Sequence, residues 1–166
     1  MTKSLRTLLP LLFLAATLTA NAQTDAQKAF AAIKTMPGTW EGKTSDGRTL
    51  QVTFKEVSDG SAVMSEIPGH GSETMVSIFN MDGAEKLLLT HYCSVGNQPR
   101  MQASVSPDGK TFTFNYVDAT NLATPDAGHM QSMVLTLVDD NHHTENWTFI
   151  DHGREKTEFF DLHRKL

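Results

Sequence analysis

A single cysteine, Cys93, stands among 166 residues, so no disulfide can form within the chain and packing alone must hold it together. Basic residues are also scarce. Fourteen Lys and Arg face 19 Asp and Glu, a net charge of −5 that gives no electrostatic reason to condense on nucleic acid or anionic lipid. Beyond the first 22 residues no apolar run approaches the roughly 20 residues that a membrane-spanning helix needs. Catalytic signatures are missing as well: there is no Gly-x-Ser-x-Gly elbow, no phosphate loop, no His-Glu-x-x-His and none of the close ligand spacings of a zinc site. What remains is a chain 39% apolar and 20% charged, a balance that fits one globular domain.

Residues 1–22 read as an export signal. Lys3 and Arg6 supply the positive start, Leu8 to Leu18 the apolar stretch, and Ala20-Asn21-Ala22 a small-x-small cleavage pattern ahead of Gln23. A periplasmic or secreted domain over 23–166 is therefore expected, with 12 basic against 19 acidic side chains, a net of −7. No membrane partner is expected once the leader is removed.

Residues 25–34 begin with Asp25 as an acceptable N-cap and carry Ala26, Ala29, Phe30 and Ile33 at helical spacing, stopping before Met36-Pro37-Gly38. From Thr39 the pattern changes to short runs rich in Val, Thr, Phe and Tyr, divided by Asp-Gly, Pro-Gly, Gly-Asn and His-Gly turns. The predicted strands are 39–44, 48–56, 61–67, 72–80, 85–94, 99–105, 110–117, 130–138, 143–151 and 154–162. Only the connection 118–129 is long. Short connections join antiparallel neighbours, so the sheet is expected to be an up-and-down meander that closes on itself, with a two-sheet sandwich as the alternative. Leu50, Val52 and Phe54 share one strand face, as do Phe112, Phe114 and Tyr116, and Trp147 with Phe149, whereas Met130 to Val138 is apolar on both faces and resists orientation.

The run Met36-Pro37-Gly38-Thr39-Trp40-Glu41-Gly42, a Gly-x-Trp opening the first strand after a short helix, resembles the start of a calycin. That superfamily includes lipocalins, fatty-acid-binding proteins and haem-binding nitrobindins. Thr90-His91-Tyr92-Cys93 and Gly96-Asn97-Gln98-Pro99-Arg100-Met101 resemble stretches of exported bacterial lipocalin-like proteins of unknown function. The resemblance implies that Trp40 closes one barrel end beneath an arginine, Arg164 or Arg154. The Arg-x-Tyr carboxylate clamp of fatty-acid-binding proteins has no counterpart near the C-terminus. The haem-ligating histidine of nitrobindins lies near the chain end, where this sequence has His163.

If the strands alternate direction, turns 57–60, 81–84, 106–109 and 139–142 collect at one end, and the longer connections, with His70, Gly96-Asn97-Gln98-Pro99, 118–129 and His152, at the other. The mouth is placed at this second end. Leu87, Leu89, His91 and Cys93 share a face, which points His91 inward, with Tyr92 the competing choice. Arg100 and Gln102 face either solvent or a mixed cavity. His142-His143 are read as solvated, and Glu66, Glu73 and Glu145 as exterior.

These readings define an exported, non-enzymatic barrel that takes a small, largely apolar molecule, with His91, Tyr92, Cys93, Arg100, His70, His129 and Trp147 as its ligand-binding set. No metal or cofactor is expected. One alternative is a haem or metal protein using His91 or His163; another is an enzyme with paired carboxylates, or a His91-Cys93 pair, inside the barrel.

Overall fold

The computed structural model describes residues 22–68 and 73–166. The leader reading falls almost wholly on residues 1–21, outside the described residues, and so does His70. A helix, α1 (Asp25–Ile33), precedes ten strands: β1 (Gly38–Thr44), β2 (Thr49–Val57), β3 (Ala62–Pro68), β4 (Thr74–Asp82), β5 (Lys86–Tyr92), β6 (Gln98–Val105), β7 (Thr111–Thr120), β8 (His129–Asp139), β9 (His142–Asp151) and β10 (Arg154–Arg164). Thr24, not Asp25, is the N-cap. Its Oγ1 accepts from the Gln27 N–H at 3.2 Å while Gln27 Oε1 accepts from the Thr24 N–H at 2.9 Å, a reciprocal box that outcompetes a lone carboxylate.

Every strand pairs antiparallel with its neighbours in sequence, and β1 pairs with β10 to close the ring. A two-layer sandwich is thereby excluded. Closure satisfies the backbone groups that an open sheet would leave bare. The seam fixes the register Trp40↔Arg164, Glu41↔His163 and Gly42↔Leu162.

Period-two alternation decides what fills the ring. Leu50, Val52 and Phe54 of β2, Leu87, Leu89 and His91 of β5, and Phe112 and Phe114 of β7 are buried, while their neighbours look outward. β8 carries register shifts at Met130/Ser132 and Leu137/Asp139. Between the bulges alternation is regular and buries Met133 and Leu135, while the shift at Met130/Ser132 reverses the parity ahead of it. The strand resists orientation from sequence because Val134 and Val138 make its outer face apolar too.

Below the midline the barrel is filled. Trp40, Phe54, Phe79, Phe112, Phe114, Leu87, Leu89 and Met101 form one buried cluster, and Ala29, Ile33 and Met36 cap it from α1 and the segment that follows. Trp40 donates from Nε1 to the Met36 carbonyl at 2.9 Å. Arg164, not Arg154, lies over the indole with its guanidinium carbon 4.3 Å from the ring centroid. The same guanidinium donates to the Pro37 and Thr35 carbonyls at 2.9 and 3.0 Å. The stacking contributes about 0.5–2 kcal/mol, and the hydrogen bonds tie the last strand to the start of the first.

Candidate functional site

The open end behaves differently from the filled end. A cavity of 290 Å³ opens there, walled by Met75 of β4, Met130 of β8, and Trp147 and Phe149 of β9, with Cys93, Ser94 and Val95 of the β5–β6 connection along one side. Lys156 and Glu158 of β10 complete the lip. Glu158 is engaged by Arg48, whereas Lys156 forms no ion pair among the described residues. Among the described residues the cup is thus a mostly apolar wall with one unpaired cation at its edge, the balance that small-molecule sites use to combine affinity with orientation. A second recess of 310 Å³ lies under the 121–128 connection and shares Val95 and Phe149 as walls. Asn97 Nδ2 donates to the Gly128 carbonyl at 2.8 Å, and Asn121 Nδ2 to that of Gly96 at 2.7 Å, so the two rim loops hold each other.

A string of polar side chains runs down from the cup through the apolar interior. Trp147 donates from Nε1 to Glu145 Oε2 at 2.8 Å, and His143 Nε2 lies 3.2 Å from Glu145 Oε1. His143 and Glu145 are buried, not surface residues as β9's polar opening run implies: alternation from Trp147 puts residues 143, 145 and 147 on one inward face. His143 packs edge-on against Trp40, with ring centroids 4.3 Å apart, which links the string to the closed end. Above, His91 rests against Trp147 with 5.0 Å between centroids, and its Nδ1 is 2.9 Å from Ser77 Oγ, its cross-strand partner. His91 Nε2 and His143 Nδ1 are buried without a hydrogen-bond partner among the described residues.

The sequence-predicted set divides. Trp147 and Cys93 line the cup, and His91 lies inside beneath Trp147. Tyr92 is 50% exposed on the outer face. Arg100 is also outside, clamped by Asp118 with Nε donating to Oδ1 at 2.6 Å, so the reading of it as a cavity anchor is corrected to an outer-wall ion pair. His129 is buried but committed: Nδ1 donates to the Ala127 carbonyl at 2.8 Å, Nε2 lies 3.2 Å from the Gln131 side-chain amide, and the ring tilts against Tyr116. It braces the 121–128 connection. His163 stands on the outer face of β10, on the opposite side of the wall from His91.

Alternation on β10 carried a signal for Lys156 and Glu158, which share the parity of the buried Phe160 and Leu162. Met75 likewise shares the parity of the buried Ser77 and Phe79 on β4, whereas Met130 carried no such signal, because its facing depends on the bulge in β8.

Burial pushes the Cys93 thiol up, away from the reactive thiolate, and His91 Nδ1 is directed at Ser77. Glu145 is the single carboxylate among the buried described residues, and Glu158, of inward parity on β10, lies at the cup lip where Arg48 engages it.

Desolvation lowers the His91 pKa from 6.5 to about 4. The native ring therefore stays neutral while the unfolded chain takes up a proton first. The stability contributed by the neutral form is whole above pH 6.5 and is lost as pH falls toward 4, about 3 kcal/mol across that interval. Chemical denaturation of the protein and of His91→Gln from pH 7.5 to 4 is expected to show that loss in the parent and a curve flatter by this amount in the variant. Parallel curves would remove His91 as the cause.

The chain matches no protein-family model and no curated protein.

Proposed function

We propose that this protein is an exported barrel of calycin type, with up-and-down strand order, that binds a small amphipathic molecule in the cup at its open rim without transforming it. One observation carries the reading: a 290 Å³ cavity walled by Met75, Met130, Trp147 and Phe149, with Lys156 at its lip. The filled lower barrel limits the ligand to the rim, so a short or compact apolar body fits and a long buried chain does not. Lys156 favours a ligand whose polar end is anionic, since a flexible ammonium pairs with a carboxylate or sulfonate at the edge of water. His91 acts from beneath by holding the inner side of the Trp147 ring.

The two tryptophans make the test direct. Both are nearly buried, but Trp40 lies at the closed end while Trp147 lines the cup. Titration with anilinonaphthalene sulfonate, an anionic apolar probe, is expected to quench Trp147 emission with one-to-one stoichiometry. Filling the cup with Met130→Trp, or reversing the lip charge with Lys156→Glu, is expected to weaken binding at least tenfold, about 1.4 kcal/mol, with little change in melting temperature. Probe affinity unchanged in both variants would refute the site.

A further inference from the structure

The outer wall near the closed end carries a feature unrelated to the cup. His142 is the first residue of β9 after the tight β8–β9 turn, and the ladder sets it directly across from His163 of β10. Asp161 lies two residues before His163, hence on the same outward face, while Phe160 and Leu162 between and beside them point into the core. Register and alternation alone therefore bring three donor side chains together. The two imidazoles stack with centroids 4.1 Å apart and planes 20° apart. Both Nε2 atoms are turned toward one carboxylate oxygen, Asp161 Oδ1, at 2.7 Å for His142 and 3.7 Å for His163.

We propose that His142, His163 and Asp161 form a surface binding site for a divalent transition-metal ion of the zinc and copper class. The three ligand atoms lie within 4.8 Å of one another. Metal–nitrogen and metal–oxygen bonds of about 2.0–2.2 Å in tetrahedral arrangement put donors roughly 3.3 Å apart, between the two distances observed here, so small side-chain rotations suffice. Two imidazoles and one carboxylate select borderline ions such as Zn²⁺, Cu²⁺ and Ni²⁺ over Ca²⁺ and Mg²⁺, which prefer all-oxygen shells. The neighbouring groups on β1 do not complete the shell: Glu41, across the seam from His163, is held by Lys165 Nζ at 2.6 Å, and Lys43 faces Asp161 in the ladder. The fourth position is left to water or to a ligand from outside, which gives an open site.

Untagged protein titrated with ZnCl₂ against a chromophoric chelator at pH 7.5 is expected to bind one equivalent with micromolar affinity. His163→Ala and Asp161→Asn are each expected to weaken it at least tenfold, and His142→Ala with His163→Ala to abolish it. His152 is the control, an exposed histidine beside Asp151 and Asp126 at the opposite end of the barrel; His152→Ala should leave the affinity unchanged. With Cu²⁺, paramagnetic resonance should report two nitrogen ligands in the parent and one in His163→Ala. Circular dichroism of each variant confirms folding. Absence of binding at millimolar Zn²⁺, or binding lost in His152→Ala and retained in the double variant, overturns the site.

Discussion

Alanine at Gly42 is expected to destabilise the barrel by about 3 kcal/mol or more, a drop of about 10 °C in melting temperature for a domain of this size. A Cβ built at Gly42 would lie 1.7 Å from the Asp161 carbonyl oxygen and 2.7 Å from its carbon. Both atoms are main chain, so no side chain can swing aside. The last strand would have to retreat, breaking the pairs Gly42↔Leu162 and Lys43↔Asp161 and loosening the Arg164 clamp over Trp40. Gly47 supplies the comparison. It sits in the β1–β2 turn with nothing within 4 Å of its would-be Cβ, and its φ of +82° limits the cost of Gly47→Ala to backbone strain, about 1–2 kcal/mol. Thermal melts of the two variants side by side decide the matter. If Gly42→Ala melts no lower than Gly47→Ala, the close strand approach does not carry the stability assigned to it.

Removal of the Glu145 carboxylate is the second large effect. Its two oxygens receive different partners, Trp147 Nε1 on one and His143 Nε2 on the other, in the middle of an apolar core. Glu145→Ala strands both nitrogens and opens a void. A buried pair broken on one side costs about 3–5 kcal/mol, more than the pair itself contributes. Glu145→Gln keeps an acceptor for the indole N–H and an amide near His143, and is expected to cost about 1 kcal/mol. Urea titrations at pH 7 measure both. Near-equal midpoints for the two variants would show that the hydrogen-bonded string contributes little beyond volume. Loss of Glu145 should also degrade probe binding, because the indole that walls the cup loses its anchor.

Strand number and spacing were legible because turn residues and alternation are local properties. Each predicted strand lies within two residues of an observed one, apart from the end of β7, which runs on to Thr120. The Trp40–Arg164 contact was legible through the resemblance, with two arginines left open. The site was less so. Parity places His91 and Trp147 inside, yet Tyr92, the competing choice for the inner face of β5, and Arg100, a candidate anchor of a mixed cavity, stand outside. Polarity reads His143 and Glu145 as surface residues, but period-two geometry sends both inward with Trp147 whatever their charge, and the core accepts the carboxylate because both oxygens find partners. The extent of the filled region depends on side-chain volumes meeting across the ring, which no single strand records.

The β1–β10 seam has a kinetic consequence. Arg164 reaches the Pro37 carbonyl across 127 residues of chain, so the contact that locks the ring is among the most non-local in the molecule. Closing a loop of that size costs about 4 kcal/mol of chain entropy before any compensating contact forms. High contact order slows folding, and until the final strand arrives two unpaired edges remain available to other chains. A nascent molecule therefore passes through an aggregation-exposed stage that ends only when β10 reaches β1.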